Sequence, residues 1–349
     1  MIRSLPLAEW PQADRAAWLR AMVAGQRLRR GGLASHLAPV TRTDLERRYG
    51  SYLQVLHEQA RLQPDAPAGH QVTPEGVEAY LARTHGCWRS TTIANSIYKL
   101  RRMADLLAPD RDHAWLREIE NDLALVANPQ PRFDRLVTTE VLVEAGLALV
   151  KEAELAWHLR PNWRAARLRD GLIVALLALC PIRLRNLVGL TLGESLRYID
   201  GQWWIVLSGK QTKAGRSDER PVPDYLNQAI ASYLTSARPL LLKREFIIGD
   251  DQDPLTGPLW VGEKGVALGY SRVEQIIMET TRLTLGVAVS PHDFRRAAAT
   301  TASYRAGDRP HLASALLQHT HPAVTHEHYN RASTMAAALD FSRLIRGSS

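Results

Sequence analysis

The chain has 349 residues, 45% of them hydrophobic and 23% charged, with 44 Lys and Arg against 36 Asp and Glu for a net charge of +8. This length suits two domains with cores of their own, and the apolar fraction excludes a disordered chain. The two distant cysteines, Cys87 and Cys180, exclude a disulfide framework and predict buried thiols in a reducing compartment, while the cationic excess favours a polyanionic partner, nucleic acid or acidic membrane.

In chain order, the opening MIRSLPLAEWPQADR lacks the continuous apolar run of a secretory leader. Residues 1–40 read as a basic helical extension, with Trp10 and Trp18 on a helical pattern and Arg27, Arg29 and Arg30 before Gly31-Gly32. From residue 41 to 127 the pattern is all-helical. Leu45, Tyr49, Leu53 and Leu56 follow helical spacing behind Thr43 as a candidate N-cap, and Thr73-Pro74-Glu75 opens a second helix with Pro at its first position. Ser90 to Leu107 has the clearest apolar stripe, Ile93, Ile97, Leu100 and Leu107, with Lys99, Arg101 and Arg102 on other faces. A solvated charged face and a DNA-facing helix both fit those cations.

Residues 128–137, with NPQPRFD at their start, read as a linker: two prolines and no periodicity. Helical spacing resumes at Thr138 with Val141, Leu142, Leu147 and Val150. The apolar run Leu172 to Ile182 spans eleven residues, short of the roughly twenty that cross a bilayer, and reads as a core helix. Arg183 follows it directly, and a guanidinium at the end of a buried helix is costly to desolvate unless an acceptor or anion awaits it. Gln202 to Leu207 (QWWIVL) and Arg220 to Pro223 (RPVP) predict antiparallel strands around a polar hairpin that carries Lys210 and Lys213. Ser271 to Leu285 predicts another helix.

The stretch from Ser290 to Arg331 concentrates chemistry-bearing residues. His292 and Arg295, three apart, share the first turns of a helix over Asp293 to Tyr304, where free backbone N–H groups favour an anion and Arg adds a planar fork of donors. Gly307 and Pro310 break the chain, the apolar stripe Leu312, Leu316 and Leu317 delivers His319, and Thr325 and Tyr329, four apart, present a hydroxyl. The histidines His319, His321, His326 and His328 raise zinc as a rival, against which stand the i,i+2 spacing and the lack of an accompanying Cys or carboxylate pattern. A last amphipathic helix is expected over Ser333 to Arg346.

His292-x-x-Arg295, Leu317-Gln318-His319 and Tyr329, ten residues after His319, resemble the C-terminal signature of the tyrosine recombinases, the phage integrase family. Cys180-Pro181-Ile182-Arg183 is similar to that family's first motif, with Arg183 rather than Arg185 in the place of its arginine. Cys-Pro replaces Thr-Gly, and Asn186 stands where the family has an acid, so the orientation of neighbouring site residues is open.

The resemblance implies a mainly α fold with a small antiparallel sheet, built as a two-domain DNA clamp whose catalytic domain spans 138–349. It implies a site-specific recombinase of the integration/excision type, encoded by a mobile element, that cuts and rejoins double-stranded DNA through a 3′-phosphotyrosyl link without metal or nucleotide cofactor. Tyr329 would be the nucleophile, with Arg183, Arg295, His292 and His319 around the phosphate and Lys213 as the acid, Lys210 being the alternative lysine. By the same resemblance Lys99, Arg101 and Arg102 face DNA, and the chain works in the cytoplasm at the nucleoid as a homo-oligomer, a tetramer on paired sites, with accessory directionality proteins. A catalytically inactive DNA-binding protein of the same fold and a type IB topoisomerase-like enzyme are the alternatives.

Overall fold

A computed structural model describes residues 2–128, 137–212, 215–242, 256–305 and 316–317. The chain divides into two compact units, Met1–Pro131 and Arg132–Ser349.

The first unit is helical among its described residues: α1 (Gln12–Ala21), α2 (Pro39–Glu58), α3 (Pro74–Thr84), α4 (Ser90–Leu107) and α5 (Ala114–Leu125). α2 begins before the expected Thr43 cap, because Pro39 takes the first helical position, where its fixed φ and missing N–H cost nothing. α3 starts as its sequence dictates, Thr73 Oγ1 accepting from the Gly76 N–H at 3.1 Å. The core of this unit is threaded by aromatic rings in edge and stacked contact, Trp10 on Tyr49, Tyr49 on Tyr52, Tyr52 on Tyr80 and Tyr80 on Trp88. Ile2, Leu5, Trp10 and Trp18 belong to the same core, so the first 40 residues pack with the helices that follow them. Cys87 is exposed, contrary to the expectation of two buried thiols, because it lies in the turn that links α3 to α4.

The second unit is organised on α7 (Pro161–Leu179), which packs against α6 (Thr139–Leu155) and is apolar and buried nearly throughout its second half. The two helices cross where glycine meets glycine. A Cβ on Gly171 would lie 2.6 Å from the Gly146 carbonyl oxygen, and one on Gly146 would lie 2.7 Å from that of Gly171, so neither position has room for a side chain. After α7 come the short helix α8 (Leu184–Val188) and strands β1 (Thr191–Leu192), β2 (Leu196–Ile199), β3 (Gln202–Leu207) and β4 (Asp218–Pro221). Then follow α9 (Asn227–Ser232), α10 (Arg238–Leu242), β5 (Gly257–Pro258), α11 (Tyr270–Leu285) and α12 (Pro291–Arg305).

The sheet order is β4-β3-β2-β1-β5. The expected hairpin is present, β3 against β4, with Leu207 opposite Asp218 and Ile205 opposite Arg220. The sheet as a whole is mixed rather than antiparallel: a tight turn through Gly193 (φ 78°) lays Leu192 beside Leu196 in parallel, and β5 pairs antiparallel with β1. Trp260 anchors sheet to helix, its indole N–H donating to the Leu187 carbonyl at 2.8 Å.

Of the segments read from sequence, the linker prolines, the loop from Gly307 to Pro310, the histidine cluster and the terminal helix Ser333 to Arg346 lie outside the described residues. No described helix is long and apolar enough to cross a membrane.

Candidate active site

Three chain segments meet at the end of α7. The helix stops at Leu179, because Pro181 has no N–H to continue the ladder and disfavours helical geometry at Cys180. The chain then runs extended to Arg183, whose own φ/ψ of −66°/143° make it the residue that opens α8. Arg183 is half-buried while Arg185, two residues on, points to solvent, which separates the two arginines as the motif does.

α12 is set by its first turn. Ser290 and Asp293 cap one another: the Ser290 hydroxyl donates to Asp293 Oδ2 at 2.7 Å, the Asp293 N–H faces the Ser290 side chain and carbonyl, and Pro291 fills the position between. The fully buried Phe294 and the buried Ala297 and Ala298 fix the inner face. This places His292, exposed, at the mouth of the helix and Arg295 one turn deeper.

Arg295 spans the site. Its Nη1 donates to the Pro181 carbonyl, and its Nη2 donates to the Leu317 carbonyl at 2.7 Å. Neither Arg183 nor Arg295 forms an ion pair among the described residues. Burial, then the nearby Arg183 and Arg220 cations, hold the Arg295 guanidinium down to about 10, with Asp218 pulling the other way. Two cations are thus kept close together and partly desolvated, Arg295 hydrogen-bonded only to neutral carbonyls, an arrangement that an anion would relieve.

β4 contributes a pair that the strand reading of RPVP passed over. Asp218 and Arg220, two apart and therefore on one face of the strand, form a bidentate ion pair, Nε to Oδ1 at 2.9 Å and Nη2 to Oδ2 at 2.6 Å. The sequence signal was an Asp-x-Arg alternation inside a strand, where a charged inward face is unusual. A cleft of about 360 Å³ is lined by Leu179, Cys180, Asp218, Arg220 and Leu316, among others. Burial pushes the Cys180 thiol up to about 12, so it is an inert wall of that cleft.

Arg183, His292 and Arg295 therefore come together in one unit. Lys210 is exposed on the β3–β4 turn, and Lys213, His319 and Tyr329 lie outside the described residues. Lys99, Arg101 and Arg102 sit on α4 of the first unit. Lys99 pairs with Asp44, Arg101 with Glu120 and Asp105, and Arg102 lies over the Tyr98 ring. Among the described residues, no three His, Cys, Asp or Glu side chains are grouped to hold a metal ion.

The sequence profile described as the phage integrase family matches residues 149–335, more than half of the chain and every candidate catalytic residue named above. The chain belongs to the phage integrase family. Among solved structures it is similar to the XerH site-specific recombinase bound to a palindromic difH substrate in a post-cleavage complex, with a TM-score of 0.58 at 12% identity over 97% of this chain and 98% of that one. At that identity the likeness shows a shared fold. XerA recombinase (TM-score 0.39, 15% identity, 88% of this chain and 94% of that one) and the integrase from mycobacterium phage Brujita (0.33, 15%, 89% and 84%) superpose less well. No curated protein sequence matches the chain. Two departures from the family pattern lie at the site: Cys180-Pro181, whose proline carbonyl accepts from Arg295, and Asn186, buried one turn after Arg183, whose N–H donates to the Arg183 carbonyl at 2.8 Å.

Proposed function

We propose that this protein is a site-specific DNA recombinase of the integration/excision type. The observation that carries the reading is the convergence of Arg183 and Arg295 at the end of α7, two guanidiniums without carboxylate partners among the described residues, both half-buried and one held by backbone carbonyls. Such a pair suits the two nonbridging oxygens of a scissile phosphodiester, whose charge rises as the phosphorus becomes five-coordinate. His292, at the mouth of α12, stands where it can hydrogen-bond the same phosphate.

The remaining roles rest on the motif. The Tyr329 oxygen attacks phosphorus, forming an O–P bond as the bond to the 5′ oxygen breaks; Lys213 gives that oxygen its proton, and His319 assists proton transfer at the tyrosine. The products are a 3′-phosphotyrosyl link and a free 5′-hydroxyl, and attack by a 5′-hydroxyl of the partner duplex reverses the step. Bond energy is conserved in the ester and the guanidiniums supply the positive charge, so neither nucleotide nor metal is required. Double-stranded DNA is the substrate, held by a net charge of +8 and engaged by a homotetramer on paired sites.

A nicked suicide substrate drawn from the DNA flanking the gene tests this, in EDTA, with wild type beside Tyr329→Phe. An EDTA-resistant adduct that disappears in the variant, while DNA binding persists, is expected. Salt-sensitive binding with no adduct would instead favour an inactive DNA-binding protein. Relaxation of supercoils without partner exchange would favour topoisomerase chemistry.

A further inference from the structure

We propose that Arg220, locked in place by Asp218 on β4, is a third phosphate-binding guanidinium of the site formed by Arg183 and Arg295. The inference rests on the reading just given and gives a phosphate-binding role to a residue that the sequence reading left without one.

The first ground is the geometry of the pair. Asp218 is 7% exposed and the Arg220 side chain 14%, while the alternating residues Glu219 and Pro221 face outward. Both carboxylate oxygens of Asp218 are occupied by Nε and Nη2 of Arg220, a fork-to-fork contact that fixes the plane of the guanidinium. The third nitrogen, Nη1, is left over. It is buried, and it has no hydrogen-bond partner among the described residues. A buried N–H pair without an acceptor is costly in a resting protein, and it persists where an arriving ligand supplies the acceptor.

The second ground is position. Arg220 lines the cleft with Cys180 and Leu316. The residues that follow those two in the chain, Pro181 and Leu317, are the ones whose carbonyls hold Arg295. Arg220 therefore borders the same end of α7 as Arg295, and the depression of Arg295, due first to burial and then to the Arg183 and Arg220 cations, agrees with that placement. Because both Asp218 oxygens bond Arg220, Asp218 forms no ion pair with Arg183 or Arg295 among the described residues, and those two arginines keep their charge for an anion. A lysine at 220 would keep the charge and lose both the fork and the free donor.

A rival role is purely structural, Arg220 and Asp218 pinning the β3–β4 hairpin. A phosphodiester and a methylphosphonate at the scissile position separate the two, since the methyl group removes one charged nonbridging oxygen. Cleavage of nicked substrates is measured in single turnover for wild type, Arg220→Gln and the double variant Asp218→Asn/Arg220→Gln, which carries no unpaired buried charge. Comparing the two substrates within one variant cancels any misfolded fraction. Removing one preorganised donor costs about 100-fold in such sites, so Arg220→Gln should lose roughly that factor on the phosphodiester and no more than about fivefold on the methylphosphonate. Orthovanadate, an oxyanion able to mimic five-coordinate phosphorus, gives a second readout that needs only the phosphodiester. Its half-inhibitory concentration should rise by about tenfold in the variant, since it too loses a donor. Equal losses on both substrates together with unchanged vanadate inhibition would overturn the proposal and leave the recombinase reading standing. A wild type that forms no adduct would remove that reading and this one with it.

Discussion

The carbonyl oxygen of Pro181 accepts a hydrogen bond from Nη1 of Arg295, a residue 114 positions further along the chain. With the second bond to Leu317, one side chain joins the end of α7 to Leu317 beyond α12, so the Arg183 motif and the His292-x-x-Arg295 helix are tied to the start of Leu317-Gln318-His319. Burying that cation opposes stability, while the two hydrogen bonds favour it.

Arg295→Gln should therefore separate chemistry from folding. It removes the charge that an anion needs, so single-turnover cleavage should fall by roughly 100- to 1000-fold. The thermal midpoint should move by only a few degrees, because relief of desolvation offsets the lost hydrogen bonds, each term being on the order of 1–3 kcal/mol. Calorimetry beside a cleavage assay reads both. A variant that cleaves within twofold of wild type would make Arg295 a strut and nothing more.

A second prediction concerns the α6–α7 crossing. Replacing glycine by alanine in a helix ordinarily favours folding by up to about 1 kcal/mol. At Gly171 the new Cβ would sit 2.6 Å from the Gly146 oxygen and 3.0 Å from the Val150 nitrogen, both backbone atoms that cannot swing away. Overpacking of this kind costs about 1–3 kcal/mol, so the clash should win and Gly171→Ala should lower the midpoint of the second unit by a few degrees. A rise in the midpoint would mean that the helices separate easily.

The helices were legible because their signals are local. Ser90 to Leu107 and Thr73-Pro74 carry their own spacing and caps, and QWWIVL could hardly be anything but a strand. Arg183 is singled out from Arg185 only by the motif; in the fold Arg183 is half-buried at the start of α8 and Arg185 is exposed. The Asp218–Arg220 pair was not legible as lining a cleft with Cys180, since that depends on which face of β4 turns toward Cys180, a non-local fact. Cys87 misled for a related cause: an isolated cysteine says nothing about burial until the turn around it is known.

Asp14 supports a prediction about pH. Its carboxylate is buried, accepting from the Tyr49 hydroxyl at 2.8 Å and the Gly69 N–H at 2.7 Å. Burial raises its pKa above 3.8, with the Gly69 and Tyr49 hydrogen bonds and the His70 charge only partly opposing that. The folded state thus holds this proton more tightly than the unfolded chain does. Its contribution to stability is fully present below 3.8 and is lost as pH rises through the raised folded value. Asp14→Asn keeps an acceptor for Gly69 and cannot ionise. Relative to wild type, the variant should gain stability between about pH 4 and pH 7, read from urea midpoints at the two values. A difference that does not change with pH would show that the carboxyl titrates alike in both states.

The last prediction separates the three cations of α4. Lys99 is paired with Asp44, whose carboxyl burial would raise but Lys99 and Arg47 pull below its usual value. Arg101 binds Glu120 and Asp105, and although burial works to lower its pKa, those two acids raise it. Any phosphate must compete with these carboxylates, whereas Arg102 faces only the Tyr98 ring at 5.7 Å and has no ion pair among the described residues. If α4 lies against DNA, Arg102→Ala should weaken binding alike for all sequences and reduce the slope of log K against log salt by about 0.9, the yield of one phosphate contact, with little change in stability. Arg101→Ala should instead lower stability, by roughly 1–2 kcal/mol for a half-buried charge-assisted pair, and leave the slope nearly unchanged. Salt titrations of DNA affinity and thermal melts on both variants decide between the two roles. Were Arg101→Ala to cut the slope as deeply as Arg102→Ala while melting like wild type, its ion pairs would be ones that open on DNA, and α4 would present both arginines to the backbone.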